Sequence, residues 1–260
     1  MKIYIHTDLE GISGIDCMDM IQKEDPRREF SIGRLVEDIN AAVDGAFAGG
    51  ATHVTVLDSH AGGRNVDPSL IDNRAEFDYK ENRKWWGKLD ESYDGTFFIG
   101  AHAMAGTING FLDHTQSSKS WYNYRINGRR MGELAQWAIV ASHFNVPMLM
   151  VSGDDAACAE AREFFNPIEC VSVKRGIGRN KAELVDPDSA VEMIRETAKS
   201  SMSLVGKAKP FKPILPMEVI LELYRSDFCD NLVNIPGVER VDARTVRKIA
   251  NNYLELFFNK

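Results

Sequence analysis

Asp8 and Glu10 stand two positions apart after a short apolar run, so in extended backbone both carboxylates point to the same side. His60 and His102 follow two further apolar runs, and Glu133 stands at the first turn of a helix-patterned stretch, where the helix dipole favours an acid. Singly, each has a plain structural reading. An Asp-x-Glu after a strand usually serves a turn, a lone histidine there is usually a surface or hydrogen-bonded residue, and a first-turn acid suits a helix end. Together, three acids and two histidines expected at one rim suit a divalent metal. Zinc accepts imidazole nitrogen and carboxylate oxygen, and manganese and cobalt suit the same mix. Five donors exceed what one catalytic zinc needs. Two ions sharing a bridging carboxylate, about 3.5–4 Å apart, would use them all and would suit a hydrolysis.

His114 follows His102 across the glycine-rich stretch AHAMAGTING. Such a loop can bring a second histidine back over the site as general acid, base or nucleophile; capping the segment that follows is its plain alternative. Gly153-Asp154-Asp155 has two readings as well, orienting a ligand or starting the next helix, since Asp is a strong N-cap. Trp85-Trp86 and Phe97-Phe98 read as core or subunit contacts, and Arg27-Arg28 and Arg129-Arg130 as solvated charges.

The elements that must position these residues are legible as alternation. Lys2–Thr7, Thr52–Leu57, Thr96–Ile99 and Val146–Val151 are short apolar runs, each followed at once by polar residues, as in strands covered on both faces. Between them Ile32–Ala48, Leu134–Phe144 and Ala156–Phe165 are helix-patterned, and Asp188–Val205 follows as another. The fold expected is α/β: three layers, α/β/α, with a mixed, largely parallel central sheet and a smaller C-terminal α/β portion. In such sheets ligands bind outside the carboxyl ends of the strands, where the chemistry-bearing residues fall here. Ser120–Ile126 and Arg129–Met131 flank Asn127-Gly128 and predict a hairpin. Lys207–Pro216 reads as a linker, Met217–Tyr224 as a strand and Ala243–Phe258 as an amphipathic helix. A boundary near residue 205 divides a metal-binding catalytic domain, 1–205, from a C-terminal portion, 206–260, with one continuous domain as the alternative.

Bulk properties narrow the classes. A formal charge of −7 argues against tracking a phosphate backbone, so no nucleic-acid partner is expected. No apolar run approaches membrane-spanning length and no leader is legible, so neither a membrane partner nor export is expected and the chain is placed in the cytoplasm. Cys17, Cys158, Cys170 and Cys229 form no CxxC pair and read as reduced thiols.

Asp8-Leu9-Glu10-Gly11-Ile12-Ser13-Gly14, Asp58-Ser59-His60, Gly100-Ala101-His102-Ala103, Asp113-His114 and Gly132-Glu133, in this order, resemble the zinc-dependent D-aminopeptidases of the dipeptide-operon DppA type over residues 1 to about 200. The resemblance implies two zinc ions per subunit. Asp8 would bridge them, Glu10 and His60 would complete one, His102 and Glu133 the other, and His114 would be the catalytic histidine. It also implies a short-peptide substrate with an N-terminal D-residue, and a homo-oligomer, a decameric ring enclosing a chamber. The glycine-rich stretch before His114 is one residue longer than the family pattern. Two other readings stay open: a zinc amidase or deacylase acting on a non-peptide amide, and a non-catalytic dipeptide- or metal-binding accessory protein.

Overall fold

The computed structural model describes residues 1–79 and 84–258. Seven strands form the central sheet: β1 (Lys2–Thr7), β2 (His53–Asp58), β3 (Glu76–Asp78), β4 (Gly95–Ala101), and, later in the chain, Met148–Asp154, Glu169–Gly178 and Lys181–Leu184. Between β4 and those three lie β5 (Trp121–Ile126) and β6 (Arg129–Arg130), so the later strands are β7, β8 and β9. The order across the sheet is β3-β2-β1-β4-β7-β8-β9, parallel throughout except for β9, which runs antiparallel to β8. The mixed, largely parallel sheet is the one expected.

Side chains alternate across this sheet, as the period of two requires. Ile3, Ile5, Phe97 and Ile99 enter one apolar cluster with α1 (Arg28–Ala48) and, further along the chain, the helix Pro187–Ser201. Tyr4 and Phe98 enter the other, with α2 (Glu133–His143) and α3 (Asp155–Phe164), which makes Pro187–Ser201 α4. Helices thus cover both faces. Trp137 of α2 is fully buried and donates its indole N–H to Thr96 Oγ1 at 2.9 Å, so its polar edge carries no desolvation penalty.

A second sheet is antiparallel. It takes β10 (Met217–Leu223), β11 (Glu239–Arg240) and β12 (Thr245–Ala250), with α5 (Ser226–Leu232) between β10 and β11, in the order β11-β12-β10-β5-β6. Leu221 of β10 lies opposite Tyr124 of β5, so this sheet draws strands from both sides of residue 205. Asn127 and Gly128 adopt φ of 49° and 80°, the paired left-handed conformation of a type I′ turn, and close the β5–β6 hairpin as expected.

The expected helix Ala243–Phe258 is corrected: Thr245–Ala250 is a strand, paired along its length with β10. Val246 and Ala250, four apart, fit one face of a helix and one face of a strand equally well. Ile249 decides between them; a helix would bury it with the other two, and it is 51% exposed. β-Branched Thr245, Val246 and Ile249 and the open edge of β10 favour the strand.

Register places the site. Thr7 pairs with both Asp58 of β2 and Ile99 of β4, so three strands end at one level and deliver Asp8, the 58–60 turn and His102 to the same rim. The approach is close. Gly100 has φ of +79°, and a Cβ there would lie 2.1 Å from the Asp8 carbonyl oxygen; a Cβ at Gly11 would lie 1.9 Å from that of Ala101.

Candidate metal centre

Asp8 is the first residue beyond β1, and its N–H still donates to Ile99 O at 2.8 Å. The chain then turns: Gly11 N–H donates to Gly100 O at 2.9 Å, and the buried ammonium of Lys174 on β8 donates to Glu10 O at 3.1 Å and Ile15 O at 2.9 Å. The carboxylates of Asp8 and Glu10 are thereby presented together at the rim. His60 rides a turn held from within. The Asp58 carboxylate accepts the N–H groups of Asn65 and Val66, and the Asn65 amide donates to Asp58 Oδ1 at 2.9 Å and to His60 O at 2.8 Å. His102 follows β4 and donates Nδ1–H to Ala103 O at 3.0 Å, which turns its Nε2 lone pair inward. Glu133 begins α2 behind Gly132, where no side chain caps the helix. Gln116 holds its carboxylate instead, donating its N–H at 2.6 Å and its amide at 3.3 Å.

All six expected residues meet. Asp8, Glu10 and His60 bring ligand atoms within 4.8 Å of one another, and so do His102, His114 and Glu133. His60 Nδ1 lies 2.9 Å from Asp8 Oδ1 and 3.0 Å from Glu10 Oε2. His102 Nε2 lies 3.4 Å from Asp8 Oδ2 and 3.4 Å from Glu133 Oε1. The imidazoles of His102 and His114 stack with centroids 4.0 Å apart, and His114 Nδ1–H donates to Leu112 O at 2.8 Å. Asp8, Glu10, His60, His114 and Glu133, with His6, Trp85 and Gln116, line a cavity of about 270 Å³, and His102 is buried against His114.

The electrostatics ask for a cation. Burial by itself would raise the Asp8 carboxyl, but the adjacent His102 and His60 hold it far below the usual range. Burial works the same way on Glu133, and His102 with His114 outweighs it, bringing the group down to about 2. Burial would depress His60, yet the Glu10 and Asp8 carboxylates push it up to about 11; His102 is likewise raised by Asp8 and Glu133 against its burial. Burial and the neighbouring Asp8 would raise Glu10, but His60 and His114 bring it down as well, so three ionised carboxylates are gathered where water is scarce. His102 Nε2 is buried and makes no hydrogen bond, which in a polar site is the mark of an atom meant for a metal. The nitrogen and oxygen donor set fits zinc.

A titration follows from this. Without metal, the Glu10 and Asp8 carboxylates hold a proton on His60 at pH 7, its pKa being pushed up to about 11 against its burial, and Asp8 and Glu133 raise His102 in the same direction. Coordination of a metal through these two imidazoles needs both neutral. Loading zinc at pH 7 is therefore expected to release at least about one proton per chain, from His60, and apparent affinity should rise with pH through neutrality. Calorimetry in buffers of different ionisation enthalpy reads the release directly; a heat independent of buffer would contradict it.

Other expectations resolve more simply. Asp154 caps α3, accepting from Ala157 N–H at 2.8 Å, and its other oxygen accepts from Phe111 N–H at 2.7 Å, pinning the loop that carries His114. Phe97 and Phe98 are core, and Arg129 pairs with Glu163 at the surface. Sequence reasoning missed Asp58, Gln116 and Lys174 as supports. Lys174 carried only a faint signal, as a cation directly after the Cys170–Val173 stretch of β8 with Arg175 beside it.

The D-aminopeptidase family model matches residues 1–258. The chain is 32% identical over 267 residues to the D-aminopeptidase of Bacillus subtilis (strain 168), an alignment covering 99% of this chain and 94% of that one. Among solved structures it is similar to the Zn-dependent D-aminopeptidase DppA from Bacillus subtilis, described as a self-compartmentalizing protease. There the TM-score is 0.92 at 29% identity, over 98% of this chain and 94% of the other.

Proposed function

The chain belongs to the D-aminopeptidase family, and from that premise we propose that it is a zinc-dependent aminopeptidase that removes N-terminal D-residues from short peptides at a dinuclear centre. The observation that carries the dinuclear reading is the orientation of Asp8. Its Oδ1 faces His60 and its Oδ2 faces His102, so one carboxylate addresses both donor groups. Glu10 and His60 would complete one zinc site, and His102 and Glu133 the other. Bound there, two zinc ions supply Lewis-acid polarisation of the scissile carbonyl and a lowered pKa for the attacking water.

The protein's own groups do the rest. With Nδ1–H committed to Leu112 O, His114 directs its Nε2 lone pair toward the cavity, 3.6 Å from Glu133 Oε1. It is placed to take a proton from the nucleophile and pass it to the departing amine. Gln116 keeps Glu133 from rotating, and it also donates to Gln136 Oε1 at 2.8 Å, which ties α2 to the loop. Trp85 and His6 wall the cavity.

The deciding experiment is hydrolysis of matched peptides that differ only in the chirality of the N-terminal residue, using zinc-loaded protein. The D-peptide should be cleaved and the L-peptide spared. Folded, zinc-loaded protein that cleaves neither would overturn the reading. The likeness to a self-compartmentalizing protease supports a closed homo-oligomer, with a decameric ring as the proposed form, and sedimentation of the purified chain measures its size. Among the described residues no helix is long and apolar enough to cross a membrane, and the four cysteines are unpaired, which supports a reducing cytoplasmic setting.

A further inference from the structure

The cavity around the metal-binding residues is acidic, but a second one, of about 540 Å³, opens from the other side of His114 and has the opposite sign. Lys119, Arg125, Arg130 and Arg179 line it against a single acid, Asp113. Asp113 is already engaged, accepting from Gly106 N–H at 2.5 Å and lying 3.6 Å from Arg179 Nε. Among the described residues neither Lys119, Arg125 nor Arg130 pairs with a carboxylate. Arg125 donates to Gly128 O at 3.2 Å and Arg130 to Ala105 O, both backbone acceptors that leave the charge unanswered.

Two features make this more than a solvated charged face. Arg125 and Arg130 are direct cross-strand partners on β5 and β6, and both are half-buried. Like charges directly opposite in an antiparallel pair are destabilising, the more so when partly withdrawn from water. The chain also carries a net charge of −7, so carboxylates to neutralise them are abundant, yet Asp113 alone lines this cavity, and its partner is Arg179. The cavity is built to receive an anion.

We propose that this cavity is the subsite for the C-terminal carboxylate of the substrate, so that the enzyme acts on short peptides with a free C-terminus. The inference rests on the aminopeptidase reading above. His114 lines both cavities, so the scissile bond would lie between an acidic end suited to the amino terminus and a basic end suited to the carboxylate. Two or three extended residues span about 7–10 Å, a reach suited to adjoining cavities. Lys119, Arg125, Arg130 and Arg179 would then measure peptide length as well as charge, since each added residue moves the carboxylate away from them.

The test compares one D-aminoacyl tripeptide as free acid and as C-terminal amide. The native enzyme should prefer the acid by about ten-fold or more in kcat/KM, chiefly through KM, as charge-assisted hydrogen bonds of this kind are worth. The preference should shrink with added salt. Lys119→Met combined with Arg125→Met should bring the acid-to-amide ratio toward one, and Arg125→Lys should recover part of it. Equal kcat/KM for acid and amide in the native enzyme overturns the subsite, and so do variants that lower both substrates in proportion. Failure to cleave either substrate would instead sink the aminopeptidase reading, so the two failures are distinct.

Discussion

His60→Ala is expected to abolish both zinc binding and peptide hydrolysis while leaving the chain folded. His60 is only partly buried and rides a turn whose geometry is kept by Asp58 and Asn65, and those contacts survive loss of the imidazole. What disappears is the nitrogen that faces Asp8 and Glu10 at 2.9 and 3.0 Å. Loss of a group that merely orients a ligand typically costs about 10–100-fold in metal affinity, so loss of a ligand should exceed about 100-fold. Asp8 serves both donor groups, so disorder at one should propagate to the other and hydrolysis should fall with metal content. Zinc measured by atomic spectroscopy, beside circular dichroism to verify folding, is the direct check. His143→Ala, at an exposed position on α2, should retain both zinc and activity. Stoichiometric zinc in folded His60→Ala protein would refute the ligand assignment.

His114→Ala separates catalysis from ligation. If His114 moves protons, kcat should fall by about 10²–10⁴ with KM little changed and zinc content intact. The alternative is real in the geometry, because His114 shares a metal-competent group with His102 and Glu133. Loss of one zinc per chain from His114→Ala would make it a ligand and pass the proton-transfer role elsewhere. Steady-state kinetics and metal analysis on one preparation distinguish the outcomes. Here Phe111 N–H is tied to Asp154, Ala105 N–H donates to Thr115 Oγ1 at 3.2 Å and His114 N–H donates to Ala103 O at 3.3 Å, and the loop closes over His102.

Much of this was readable from residues alone, for a definite reason. In a parallel sheet covered on both faces, strands are short apolar runs and function collects where they stop. Asp8, His60 and His102 each follow such a run, and Glu133 and Asp154 each stand where a helix begins. Those are local patterns, carried by neighbours within a few residues. The helix expected over 243–258 failed because positions four apart satisfy both periodicities, and only pairing with β10 distinguishes them.

The amino-acid sequence by itself determined which side chains could act and at which strand ends they would stand, because period and turn chemistry are properties of contiguous residues. Strand order and register, not any local pattern, turn one Asp8 oxygen to each histidine, set Gln116 against Glu133 and Lys174 against Glu10, and bring Arg125 and Arg130 face to face beside the site. They bring together positions as distant as 8 and 102, or 10 and 174, and no local pattern encodes a distance across a sheet.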